Sequence, residues 1–61
     1  MFIIKLDYQG STFYLRSTVW TAEQDRATRF DSPELAQAQL DRAKKFMKTA
    51  NYKAAKITES N

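Results

Sequence analysis

Apolar and polar side chains alternate between residues 2 and 17, and the two halves of that stretch fold onto each other in register. Phe2, Ile4 and Leu6 are interleaved with Ile3, Lys5 and Asp7, and Phe13 and Leu15 with Thr12, Tyr14 and Arg16. A period of two, carried by β-branched and aromatic residues, predicts strands. Centring a two-residue turn on Gln9-Gly10 sets Leu6 opposite Phe13 and Ile4 opposite Leu15 on one face. Lys5 then faces Tyr14 and Asp7 faces Thr12 on the other. A slip of one residue would mix the two sets. Gly10 supplies the positive φ that such a turn needs.

After residue 17 the pattern loosens. Thr21-Ala22-Glu23-Gln24 has the spacing of a capping box and could open one helical turn. The stretch Arg26–Phe30 predicts a short third strand. A helix follows, with Asp31 as its expected N-cap and Glu34 as the reciprocal partner. Phe30 and Leu35 are placed for a hydrophobic staple, and Pro33 falls in the first turn, where its missing N–H is harmless. Ala36, Leu40, Ala43, Met47 and Ala50 form an apolar stripe at helical spacing, which Leu35 and Phe46 widen. Asn51 suits the residue after the helix. Tyr52–Thr58 predicts a last strand with Ala55 and Ile57 facing inward, and residues 59–61 are expected to fray.

These elements predict an α+β fold: a small β-β-(β)-α-β arrangement over residues 1–61 as a single domain, with a mainly antiparallel sheet and one helix on one face. A right-handed crossover would bring the last strand back beside the first and parallel to it. The third strand would lie beyond the second.

Composition narrows the functional classes. A chain of 61 residues buries only about 60% of its unfolded surface, so the core is thin. There is no Cys and no His, which removes disulfides, thiolate nucleophiles, the commonest general base and the commonest metal ligands. The Asp31 and Glu34 carboxylates are accounted for by the helix cap. The expectation is a protein that is not an enzyme and carries no cofactor or metal. No run approaches the roughly 20 apolar residues of a membrane span, and the start lacks the features of a signal peptide. The expected location is therefore cytoplasmic, with no membrane partner. Net charge is +3, unevenly spread. Residues 1–41 carry four basic and six acidic side chains, whereas residues 42–61 carry six basic and one acidic.

Two surfaces remain as binding candidates. The sheet face away from the helix is expected to display Ile3, Tyr14 and Arg16, with Trp20 beyond them, as a protein-binding patch. The helix flank and last strand carry Arg42, Lys44, Lys45, Lys48, Lys53 and Lys56, a candidate nucleic-acid-binding surface of weak sequence specificity. Exposed strand edges leave a homodimer open.

Tyr14-Leu15, Trp20 and then Ala27-Thr28-Arg29-Phe30-Asp31-Ser32 with Glu34 and Ala36 form a hairpin followed by Trp…Ala-x-x-Phe-x-Ser-x-x-x-Ala. Over residues 3–57 this resembles many very short phage- or prophage-encoded accessory proteins. The resemblance implies a factor that binds and blocks or redirects a host protein in a bacterial cytoplasm, in the style of anti-CRISPR proteins. Nucleic-acid binding by the basic third is the alternative.

Overall fold

The computed structural model describes residues 1–60. Strands β1 (Phe2–Tyr8), β2 (Ser11–Arg16) and β3 (Val19–Thr21) are followed by a 3₁₀ turn at Gln24–Arg26. Helix α1 (Pro33–Ala43) then leads through a second 3₁₀ turn, Lys44–Phe46, to helix α2 (Thr49–Ala54) and strand β4 (Lys56–Glu59). The sheet has the order β3-β2-β1-β4, and every pairing in it is antiparallel. The fold class is α+β in ββ(β)αβ order, with one main helix on the sheet.

The hairpin has the register that its alternation demands: Leu6 pairs with Phe13, Lys5 with Tyr14 and Asp7 with Thr12. Gln9 and Gly10 both have positive φ, +50° and +80°, as a two-residue turn matched to strand twist requires. Beneath the sheet, Ile4 and Leu15 are buried against Ala36, Leu40 and Ala43 of α1. Trp20, Phe30, Met47, Tyr52, Ala55 and Ile57 pack around this cluster.

The third strand differs from expectation. It is Val19–Thr21, on the outer side of β2. The stretch predicted as a strand is used as a wedge instead. The β1–β2 pairing runs from Tyr8–Ser11 to Lys5–Tyr14, and beyond it residues 28–30 enter between the strands. Thr28 N–H donates to the Leu15 carbonyl at 3.1 Å, and Phe2 and Phe30 exchange two backbone bonds of 2.8 Å. Ser17, at φ +57°, donates its N–H to Thr28 Oγ1 at 2.9 Å. Ile4 and Leu15 thus share the core without continuing the ladder. Residues 22–27 link the outer side of β2 to this fork on its inner side, so they cross β2. The helix holds one face, and the 3₁₀ turn of this segment lies against β2. Ile3 (1% exposed) and Ala27 are buried as well, although neither belongs to the helix-side cluster, and Ile3 alternates with Ile4 onto the opposite face.

The helix also starts and stops differently. Ser32, not Asp31, is the N-cap, its Oγ accepting from Leu35 N–H at 3.2 Å, and Pro33 opens the first turn. With Ser32 as N-cap the staple positions move to Asp31 and Ala36, so Phe30 and Leu35 no longer occupy them, and Leu35 is 53% exposed. α1 ends at Ala43, and Met47 is fully extended at φ −136°, ψ 162°. One helix from Pro33 to Ala50 would run about 27 Å at 1.5 Å per residue, slightly more than the molecule's longest dimension of 26 Å. Breaking it lets Met47 and Tyr52 return to the core. α2 adds one more reversal, so β4 lies antiparallel to β1, not parallel. Ser60 N–H still reaches the Met1 carbonyl at 2.7 Å, so residues 59 and 60 are pinned; Asn61 lies outside the described residues.

Candidate functional site

The strand register separates the residues of the expected sheet-face patch. Tyr14 pairs with Lys5 on one side and Thr21 on the other, on the face turned away from α1. Arg16 shares that face, opposite Val19, and is exposed. Ile3 is buried, as described above. Trp20 pairs with Leu15 and so points to the helix side, where it packs on the core. Its indole nitrogen is closed off from solvent and has no partner. A small hollow beside it is lined by Leu6, Tyr8, Phe13, Trp20 and Asn51, but a nitrogen already sealed in the wall offers no donor to an occupant.

The six basic candidates are all exposed, yet they do not form one track. Arg42, Lys44 and Lys45 lie together around the end of α1. Lys48 precedes α2 and Lys53 lies within it. Lys56 sits in β4 directly across from Lys5, on the far face of the sheet.

What the fold assembles is a different surface, along the flank of α1 that faces the strand ends. At 100° per residue, Leu35 stands about 100° from Ala36 on the helix wheel, and Ala38 and Arg42 recur on Leu35's side; Phe46 closes the 3₁₀ turn that follows α1. Leu35 (53%) and Phe46 (62%) are both largely exposed. One concavity of about 390 Å³ lies among Met1, Phe30, Leu35 and Ala38, with Arg29, Asp31 and Arg42 at its rim. A second, of about 770 Å³, lies beside Phe46, Lys45 and Thr18. Gln39 and Arg42 border both, so the two hollows adjoin along the helix as a two-part groove. Gln39 Nε2 also donates to the Ser17 carbonyl at 2.9 Å, tying the helix to the β2–β3 turn across the groove floor. Lys45 Nζ lies 5.2 Å from the Phe46 ring centre, within cation–π range.

At the edge of this groove, where Asp41 and Lys44 line the larger hollow, a polar latch joins α2 to α1. Tyr52 O–H donates to Asp41 Oδ1 at 2.6 Å, and Gln37 Nε2 donates to the same oxygen at 2.9 Å. Lys44 Nζ stands 4.9 Å over the Tyr52 ring. The Tyr52 bond, then the Gln37 bond, hold the Asp41 carboxyl below its ordinary pKa, with help from the Lys44 charge. The same Asp41 bond pushes the Tyr52 phenol up. The latch ties α2 back onto α1 across the 3₁₀ turn that carries Phe46.

Sequence reasoning placed Leu35 and Phe46 on the inward stripe and passed over Met1 and Arg29. The available signal was angular: Ala36, Leu40 and Ala43 already define a narrow buried stripe, and Leu35 falls well off its centre. Among the described residues no cluster of acidic side chains could hold a metal ion, and no helix is long and apolar enough to cross a membrane. The chain matches no family model, and neither a curated protein nor a solved structure shows significant similarity to it.

Proposed function

We propose that this chain is a non-catalytic protein-binding module that acts through the groove on the outer flank of α1. The observation that carries the reading is the pair Leu35 and Phe46, more than half exposed along this groove with Arg42 between them. Covering the two together with Met1, itself 56% exposed at the same groove, would bury apolar surface that a core this thin leaves in water. Met, Phe and Arg are also the residue types enriched where proteins meet. The resemblance to small phage-encoded accessory factors gives this a biological form: a cytoplasmic protein that captures and blocks or redirects a bacterial host protein.

The test compares capture from a bacterial lysate by the wild-type chain and by the Leu35→Ser/Phe46→Ser double variant. A species retained stoichiometrically by wild type and lost by the double variant is the expected result. Identical captures by both would defeat the reading.

A second reading, nucleic-acid binding, is favoured by the exposed Phe46 ring with Lys45 beside it, a unit on which a base could stack. It ranks lower because Lys48, Lys53 and Lys56 lie off the groove. Binding of a labelled single strand at low salt, falling steeply as salt rises, would promote it.

A further inference from the structure

We propose that the occupant of the α1 groove is an acidic amphipathic helix of about three turns, presented by the partner protein; this deepens the protein-binding reading and rests on it. The argument begins with shape. Leu35 and Phe46 are 11 positions apart, joined by α1 and the 3₁₀ turn after it, about 18 Å at the rise of each, which is close to three turns of a second helix. The groove wall on one side is a helix flank. On the other side are Met1, Phe30 and the β2–β3 turn. None of these offers a row of free backbone donors and acceptors, so an added strand would find nothing to pair with, whereas a helix needs only side-chain contact. Helices pack at about 8–10 Å through such ridges.

Charge then selects the partner's sign. Arg29, Arg42 and Lys45 stand along the rim, all exposed. Among the described residues the ion pair formed is Arg26–Glu23, away from the groove. Asp31 and Asp41 are the carboxylates beside it, and the bonds that Asp41 accepts from Tyr52 and Gln37 leave its negative charge in place; with Lys44, which also borders the groove, four cations stand against two carboxylates. A matching helix therefore carries apolar residues at about every third or fourth position, bordered by Asp or Glu. Nucleic acid fits less well. Its charges are evenly spaced along a strand, while the rim cations here are broken up by Met1, Leu35 and Ala38, which have no use for a phosphate.

Fluorescence anisotropy with three labelled probes tests this. They are a blocked three-turn peptide with Leu on one face and Glu beside it, the same peptide with Lys for Glu, and a single-stranded oligothymidine. Expected results are micromolar binding of the Glu peptide and at least about tenfold weaker binding of the Lys peptide. Arg42→Gln should weaken the Glu peptide about threefold to tenfold, as should raising salt from about 50 to 500 mM. Leu35→Ser/Phe46→Ser should weaken it at least about tenfold while melting as wild type does. Equal binding of the Lys and Glu peptides, tighter binding of the oligothymidine, or Glu-peptide binding indifferent to Leu35 and Phe46 would each overturn the proposal. So would no binding of the Glu peptide at all. In that last case lysate capture that still depends on Leu35 and Phe46 would leave the protein-binding reading standing and remove only the acidic helix.

Discussion

Helix α1 has two apolar flanks that meet different fates. Ala36, Leu40 and Ala43 are buried on the sheet. Leu35 faces water one step round the wheel, as does Phe46 in the 3₁₀ turn that follows. The buried flank is built mostly from small residues, which let the helix lie close to Ile4 and Leu15. The exposed flank has the larger side chains. Size alone therefore does not decide what a helix buries. Proximity to the sheet does, and here the small residues win it because they permit the closest approach.

Substitutions should separate the flanks. Leu40→Ala should cost about 2–5 kcal/mol, enough to leave much of so small a domain unfolded; urea denaturation reads it, and a shift under about 1 kcal/mol would mean that α1 is not the core helix. Ile3→Ala is expected to cost about 2–4 kcal/mol, although Ile3 lies on the face away from α1. A near-neutral result would show that it is not buried in solution. Ser32→Ala should cost about 1 kcal/mol through loss of the cap, with Asp31→Ala near neutral, and the two melting curves compared would show which residue caps the helix. On the exposed flank, Leu35→Ser and Phe46→Ser should each change stability by less than about 0.5 kcal/mol. A loss comparable to Leu40→Ala would make that flank part of the core and end its candidacy as a binding surface.

The smallest effect concerns the latch, and its sign follows from the two titrations. The Asp41 carboxyl is held below its ordinary value, so its contribution is present above about pH 4 and is lost as pH falls through the lowered value. Tyr52 is raised, so its contribution is present below about pH 10 and is lost as pH rises through the raised value. Tyr52→Phe should leave stability between these limits slightly reduced and flatten the dependence at both ends. Wild-type pH dependence in that variant would show that the latch does not form in solution.

Much of this could be read from local pattern, and the limits of that reading are specific. The hairpin register followed from alternation and Gly10 because neighbouring strands exchange only near-neighbour information. The inward set Ala36, Leu40 and Ala43 followed from the 3.6-residue period. The N-cap was off by one residue because Asp31 and Ser32 are both good caps, and which is used depends on where the chain emerges from the fork at Phe30. Sequence gave no local sign of the fork itself: Arg26–Phe30 has strand character, and only the packing of Phe30 between β1 and the helix turns it into a wedge.

The amino-acid sequence by itself determined the hairpin, its turn, its buried face, and the existence and inward stripe of α1, since each is set by contacts a few residues apart. Tertiary structure alone decided that Trp20 and Tyr14 point to opposite faces and that Ile3 is covered. It also decided that α1 breaks before Met47, so that β4 runs antiparallel to β1. The first two depend on how distant strands and segments are brought together, and the last on length, since an unbroken helix to Ala50 would outrun the molecule's 26 Å.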